Sequence, residues 1–416
     1  MLKRPRPANI VIVILGLMYF ITYLDRVNVS TAAAGFGTDF NLNKTEIGLV
    51  FSAFAYPYLV FQIIGGWISD RFGARRTLIA CGLLWASATA VTGMATGLAS
   101  LLIARVLLGF GEGATFPAAT TAISRWVVKA RRGFAQGITH AAARVGNAAA
   151  PAVIVAVMST YGWRSSFFVC ALISFIWVAL WAVTFIEHPK DHPRVSPQEL
   201  SSLPAHAPRV HVPWAPLIKR MLPVTIVYFC YGWTLWLFLS WVPQYFLHSQ
   251  NLDLHRSALF ASSVFFAGVL GDSLGGLLTD WLLKYSKRLE IARSYLVCIC
   301  MFFCLISLIP LMFTHSLWLS LACLSVGFFF SEMTIGAMWA IPMDVTIEHS
   351  GTASGIMNTG SALAAILSPV VSGYLIDITG NWQLPFLGSM ILMGVGMLVA
   401  LRMHPERQFL ARLAAA

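Results

Sequence analysis

Residues 66–76 read Gly66-Trp-Ile-Ser-Asp70-Arg71-Phe-Gly73-Ala-Arg75-Arg76. An apolar run ends there in an acid, a reversal and a block of arginine. Gly66 lets a neighbouring helix approach closely. Asp70 ends the run and can cap a helix or pair with a basic partner. Gly73 permits the tight turn, and Arg75 and Arg76 can anchor the next run on an anionic leaflet. The stretch reads as simple loop anchoring or as a gate latch, in which Gly66, Asp70, Arg71, Gly73 and Arg75 hold one state closed. A second version, Gly276-Leu-Leu-Thr-Asp280, occurs further on with Lys284 but without the second glycine. Asp280 is therefore expected to form a weaker latch.

Composition agrees with a chain built from such runs. Of 416 residues, 58% are hydrophobic and only 11% are charged, against roughly 25% charged in a soluble domain. That excludes a water-soluble globule and, with so much Leu, Ile, Val and Phe, a disordered chain. A span needs about 20 apolar residues. Twelve are expected, at 10–33, 47–69, 77–96, 98–122, 133–158, 164–186, 221–247, 257–283, 291–313, 316–341, 351–376 and 383–402. The fold class is all-α polytopic membrane protein.

The net charge of +11 could suggest nucleic acid, but its placement argues for orientation in a membrane. With the N-terminus inside, nearly all Lys and Arg fall in the cytoplasmic segments. Lys44, Arg164 and Arg256 lie opposite, and Arg26, Arg105 and Arg144 fall inside spans. This asymmetry predicts an inner (plasma) membrane protein with both termini cytoplasmic. No cleavable signal peptide is expected. The seven Cys have no metal-ligand spacing and read as small core residues.

The polar, Pro-rich stretch 187–220 divides the chain into an N-terminal six-helix bundle (1–186), a cytoplasmic linker and a C-terminal six-helix bundle (221–416). The halves echo each other. Gly137-Ile-Thr-His140 running to Pro151 matches Gly355-Ile-Met-Asn358 running to Pro369, and Gly66–Asp70 matches Gly276–Asp280. Such weak repeats mark a duplicated unit.

With these features in hand, the chain resembles the major facilitator superfamily. The Gly66–Arg76 stretch matches its signature loop, and Arg105-Val-Leu-Leu-Gly109-Phe-Gly111-Glu112-Gly113 matches its span-4 pattern. Tyr23-Leu-Asp25-Arg26-Val-Asn28 and Trp241-Val-Pro243-Gln-Tyr245 are similar to the anion:cation symporter family, which includes hexonate, hexuronate and glucarate carriers. The resemblance covers essentially the whole chain. It implies two pseudo-symmetric six-helix bundles and rocker-switch transport of an organic anion, such as a sugar acid or a small mono- or dicarboxylate.

Charged groups inside spans cost at least ~2.5 kcal/mol on insertion scales and face the bundle interior. Arg26, Arg105 and Arg144 are all in the first half, and guanidinium forks match carboxylates. They are candidate substrate ligands unless fixed internal acids neutralise them. Arg105 and Glu112 lie seven residues apart, sharing a face about 10 Å apart along the helix. Asp25 and Glu112 are the proton-coupling candidates: ionised they hold an Arg, protonated they release it. The resembling symporters use the matching acids in that way, while a static ion pair and sodium coupling stay as alternatives.

His140 and Arg144 share one face of span 5 and depart from the family pattern, which tilts the expected substrate towards a dicarboxylate or compact acid. Tyr58, with Tyr56 as its competitor, maps onto the family's substrate-facing span-2 tyrosine. Tyr228 (or Tyr231), Trp339, Asn358 and Ser361 are candidates for an apolar and hydroxyl wall; interhelical packing is the plainer reading for each. Asp272 and Glu332 receive no role. No enzyme activity, metal or cofactor is expected, and the driving force is a proton gradient. The partners expected are a small organic anion, protons and the lipid bilayer, with the chain a monomer. An efflux or exchange carrier and a non-transporting ligand sensor are the competing readings.

Overall fold

The computed structural model describes residues 7–42, 46, 49–50, 53–203, 212–250, 252, 254–314 and 316–409. Lys44, placed above on the far side, and Lys3, Arg4, Arg6, Arg209 and Arg412, which fall in the cytoplasmic segments of the charge reading, lie outside the described residues. Among the described residues there is no strand.

Among the described residues the longer helices group into twelve rods. In the first half they are Pro7–Asp39 (span 1), Ala55–Phe72 (span 2), Ala74–Gly93 (span 3), Leu98–Gly113 continued by Thr115–Trp126 (span 4), Arg132–Tyr161 (span 5) and Trp163–Thr184 (span 6). In the second half they are Trp214–Gln244 (span 7), Leu254–Ser286 (span 8), Leu296–Leu308 with its flanking turns (span 9), Leu317–Met333 continued by Ile335–Val345 (span 10), Ser350–Thr379 (span 11) and Leu384–Ala400 (span 12). Eight of the described helical stretches are long and apolar enough to cross a membrane by length and composition alone. Spans 2, 3, 5 and 12 are shorter or richer in Gly, Ala and polar residues.

Each half repeats the same neighbour pattern. Span 3 packs on 4 and 6, span 2 on 4, and span 1 on 6; likewise span 9 packs on 10 and 12, span 8 on 10, and span 7 on 12. The helical interruptions repeat too. Span 4 breaks at Ala114 and span 10 at Thr334, each two residues after a buried glutamate, Glu112 and Glu332.

By compactness the chain divides into two units. The first is Met1–Lys129, Ala142–Arg209 and Ile347–Gly355; the second is Ala130–Ala141, Val210–Thr346 and Ile356–Ala416. The first turn of span 11 thus packs with the first unit, and the first turns of span 5 with the second. At the far end of span 1, Asp39 accepts from the Trp163 indole at 2.9 Å and from Arg164 at 2.7 Å. Those two donors hold its carboxyl below the usual range.

Candidate functional site

The signature stretch acts through Asp70. Its carboxylate accepts from the backbone N–H of Gly351 at 2.9 Å, from that of Thr352 at 2.6 Å and from the Thr352 hydroxyl at 2.7 Å. These are unpaired amides at the start of span 11, where the helix dipole also favours an anion. A Cβ on Gly66 would run into the Gly351 carbonyl oxygen, so only glycine permits this crossing. The Thr121 hydroxyl donates to Asp70 at 3.2 Å and lies 2.8 Å from the Ser69 hydroxyl. Asp70 therefore caps a helix, one of the two roles its position allows.

Asp280 does the same in the second unit. It accepts from the N–H groups of Gly133 at 3.0 Å and Phe134 at 2.7 Å, at the start of span 5. Gly276 meets the Gly133 carbonyl and the Gly137 backbone there. Expected to be the weaker copy, it carries in addition a buried ion cluster. Arg293 bonds Asp344 at 2.9 Å and Thr279 at 2.6 Å, and Arg132 reaches Asp344 at 3.4 Å and the Met343 carbonyl at 2.9 Å. Arg132 and Arg293, which the charge reading counts among the cations of the cytoplasmic segments, are 1% and 0% exposed. An acid at the inner edge of span 10, Asp344, was the signal that such cations had a partner.

A third carboxylate uses the same device. Glu187 accepts from the N–H groups of Ala74 at 3.1 Å and Arg75 at 2.8 Å, capping span 3, and pairs with Arg125. Gly73 adopts φ 92°, and a Cβ there would strike the Glu187 carboxyl. Sequence reading placed Glu187 in the linker; its role depends on the fold. Arg75 turns its side chain to the Ala182 carbonyl, and Arg71 lies over Trp67 and Phe72.

The first unit gathers the three intramembrane arginines around shared rings. Arg26 lies 4.8 Å from the Tyr23 ring, 4.9 Å from Tyr58, 5.2 Å from Phe54 and 5.3 Å from Phe116. Arg105 shares Phe54 at 5.1 Å, and Arg144 shares Tyr23 at 5.4 Å. A guanidinium over an aromatic face gains about 0.5–2 kcal/mol when desolvated, so the rings help to hold three cations in one region. Tyr58 is buried at 6% beside Arg26, while Tyr56 is 60% exposed. Phe54 and Phe116 complete the wall and carried no sequence signal beyond their type.

Glu112 pairs with Arg26, through Nε and Oε2 at 2.7 Å. The spacing argument had put it with Arg105, which instead donates to the Val50 carbonyl at 3.2 Å. The second terminal nitrogen of Arg26 and the second oxygen of Glu112 are buried and have no hydrogen-bond partner among the described residues. Asp25 points elsewhere, to the Thr89 and Ser174 hydroxyls at 3.5 and 3.4 Å. Adjacent helical residues diverge by about 100°, so Asp25 cannot follow Arg26.

The remaining candidates lie in the second unit. Trp339 donates from its indole to the Tyr228 hydroxyl at 2.7 Å, and the His140 ring lies 5.0 Å from Trp339. Tyr228 stacks on Tyr231 at 5.1 Å, and Tyr231 donates to Glu332. Asn358 and Ser361 are buried on span 11, and Ser361 packs against Gly232 of span 7.

Comparison with known proteins places this architecture. A family model described as Major Facilitator Superfamily matches residues 15–369. The chain is 42% identical over 411 residues to a protein of Cupriavidus necator named probable sulfoacetate transporter SauU, covering 97% of this chain and 96% of that one. It is 29% identical to a hexuronate transporter of Bacillus subtilis, covering 91% and 90%. Among solved structures, the proton:xylose symporter XylE superposes with a TM-score of 0.74 at 14% identity, covering 93% of this chain and 94% of that one. The twelve rods, the repeated neighbour pattern and these matches agree: the chain belongs to the major facilitator superfamily and is a multi-pass membrane transporter rather than an enzyme.

Proposed function

We propose that the chain imports a small organic dianion across the inner membrane in symport with protons, by alternating access of two six-helix halves. The observation that carries this is the set Arg26, Arg105 and Arg144, gathered around Tyr23 and Phe54 with Glu112 bonded to one of them. Several fixed cations suit a substrate with more than one negative group. The relative named for sulfoacetate supports a compact substrate bearing both a carboxylate and a sulfonate. The relatives named for hexuronate and for galactarate/D-glucarate support carboxylate recognition in general.

Glu112 supplies the coupling logic. Ionised, it neutralises Arg26; protonated, it releases the guanidinium to an incoming anion. The caps made by Asp70 and Asp280 hold helix ends that must separate when access changes sides, and both termini are cytoplasmic in this reading.

The test is uptake into proteoliposomes with an imposed proton gradient, using sulfoacetate, small dicarboxylates and monocarboxylates. Uptake of the dianions is expected to exceed that of the monoanions. Arg144→Ala is expected to remove the dianion preference by about tenfold, the scale of one charge-assisted contact at ~1.4 kcal/mol. Gradient-independent uptake, or equal uptake of monoanions, overturns the reading.

A further inference from the structure

Glu112 has a counterpart that no comparison assigns. Glu332 also sits two residues before the interruption of its span, and its side chain is 0% exposed. Where Glu112 meets a guanidinium from span 1, Glu332 meets a phenol from span 7. The Tyr231 hydroxyl lies 3.1 Å from both carboxylate oxygens, and Tyr231 is itself 0% exposed.

The difference in partner sets what each acid can do. A guanidinium only donates, so it fits the ionised carboxylate alone. A phenol donates to a carboxylate and, after turning its O–H, accepts from a carboxylic acid. The Tyr231–Glu332 bond therefore survives protonation of Glu332 with its donor and acceptor exchanged. The partner chemistry allows both states of one acid, inside a helix pair that stays packed.

The surroundings are close-packed and weakly polar. Span 8 presents Gly268 and Gly271, where added Cβ atoms would lie 3.1 and 3.2 Å from the Glu332 side chain. Its next residue, Asp272, is buried. Span 9 brings Cys304 within electrostatic reach of Glu332. Among the described residues, Tyr231 and Cys304 are titratable groups that face Glu332, and Asp272 follows Gly271, which packs against it.

Glu332 is also wired to the aromatic wall. Tyr231 stacks on Tyr228 at 5.1 Å, Tyr228 accepts from Trp339 at 2.7 Å, and Trp339 lies 5.0 Å from the His140 ring. Tyr231 is therefore in direct ring contact with residues proposed to line the substrate's path.

We infer that Glu332, held by Tyr231, is a second proton-carrying site, distinct from Glu112, whose loading is transmitted through Tyr228 and Trp339. This rests on the symport reading above. In the step, a proton adds to one Glu332 oxygen, the acid donates to Tyr231, and the charge of the site rises by one unit. Releasing the proton reverses both changes. A carrier with two such acids can neutralise a dianion completely as it crosses.

The test has two arms on the full chain in lipid bilayers. In the first, difference infrared spectroscopy across a pH step follows the carbonyl stretch of a protonated carboxylic acid. Wild type is expected to show a band that Glu332→Gln removes and Tyr231→Phe shifts in frequency, with Glu112→Gln leaving it in place. No band lost in Glu332→Gln overturns the inference, whatever transport shows. In the second, protons taken up per sulfoacetate are counted with a pH dye, and Glu332→Gln is expected to lower the count by one with binding retained. An unchanged count also overturns the inference. If wild type moves neither sulfoacetate nor a dicarboxylate with protons, the transport reading falls, and the infrared arm still decides whether Glu332 titrates. Glu332→Asp, which keeps the acid and is expected to keep the band, guards against loss by misfolding.

Discussion

Removing the Asp70 carboxylate is expected to loosen the first turn of span 11 and nothing comparable at span 5. The acid accepts three hydrogen bonds there, two from backbone N–H and one from a hydroxyl, at 2.6–2.9 Å. An N-cap side chain contributes about 0.5–2 kcal/mol, and a negative charge at a helix start adds about 0.3–1 kcal/mol. Asp70→Asn keeps an acceptor but loses the charge, so a cost near ~1 kcal/mol follows. Asp70→Ala loses every contact, for about 2–3 kcal/mol. At ~1.4 kcal/mol per factor of ten, local opening should rise roughly fivefold for Asn and about a hundredfold for Ala. Backbone hydrogen exchange followed by mass spectrometry reads this opening directly, because exchange requires the amide to be exposed. Peptides covering residues 350–354 should exchange faster in that order, while those covering residues 132–136 stay as in wild type. Asp280→Asn should give the mirror result. Unchanged exchange at residues 351 and 352 in Asp70→Ala would mean that the carboxylate does not hold this turn.

Other perturbations probe the arginine cluster and the packing. Arg26→Lys keeps a charge but loses the planar face over four rings and the fork towards an anion, so dianion uptake in proteoliposomes should fall at least about tenfold; wild-type uptake would remove Arg26 from the site. Glu112→Gln should abolish accumulation against a gradient yet leave counterflow exchange measurable, and accumulation by this variant would sink the coupling role. Arg293→Ala leaves the buried Asp344 with Arg132 alone at 3.4 Å and should cost up to about 3–5 kcal/mol, seen as a lower Tm, with an unchanged Tm refuting the buried pairing. Gly66→Val places side-chain carbons against the Gly351 carbonyl and should speed exchange across residues 350–354 as Asp70→Ala does, with no change refuting the close crossing.

The twelve rods were legible because apolar runs of the right length have few other uses. The twofold repeat was legible as well, since Gly66 and Gly276 recur in the same setting and close crossings tolerate nothing larger. Asp70 could be read as a cap, but not which helix it caps, because Gly351 and Thr352 are brought to it only by the fold. The same limit applied to Glu112. Spacing within one helix suggested Arg105, while packing supplied Arg26 from 86 positions away. Asp25 is adjacent to Arg26 in sequence, but helical periodicity sends it to another face, towards the Thr89 and Ser174 hydroxyls. Arg132 and Arg293 were counted with the cations of the cytoplasmic segments because charge alone does not report burial; only their pairing with Asp344 does.

The two caps differ in what surrounds them, hydroxyls about Asp70 and a buried knot of Asp280, Asp344, Arg132 and Arg293 about the other. Parting dry hydroxyls returns little to the solvent, but wetting four ionic groups restores most of their lost hydration. The more heavily bonded end can therefore resist the first movement strongly and yet cost little once water has entered. In the proposed alternating-access cycle its contribution would be to the height of the barrier, leaving the balance between the two end states to the quieter cap.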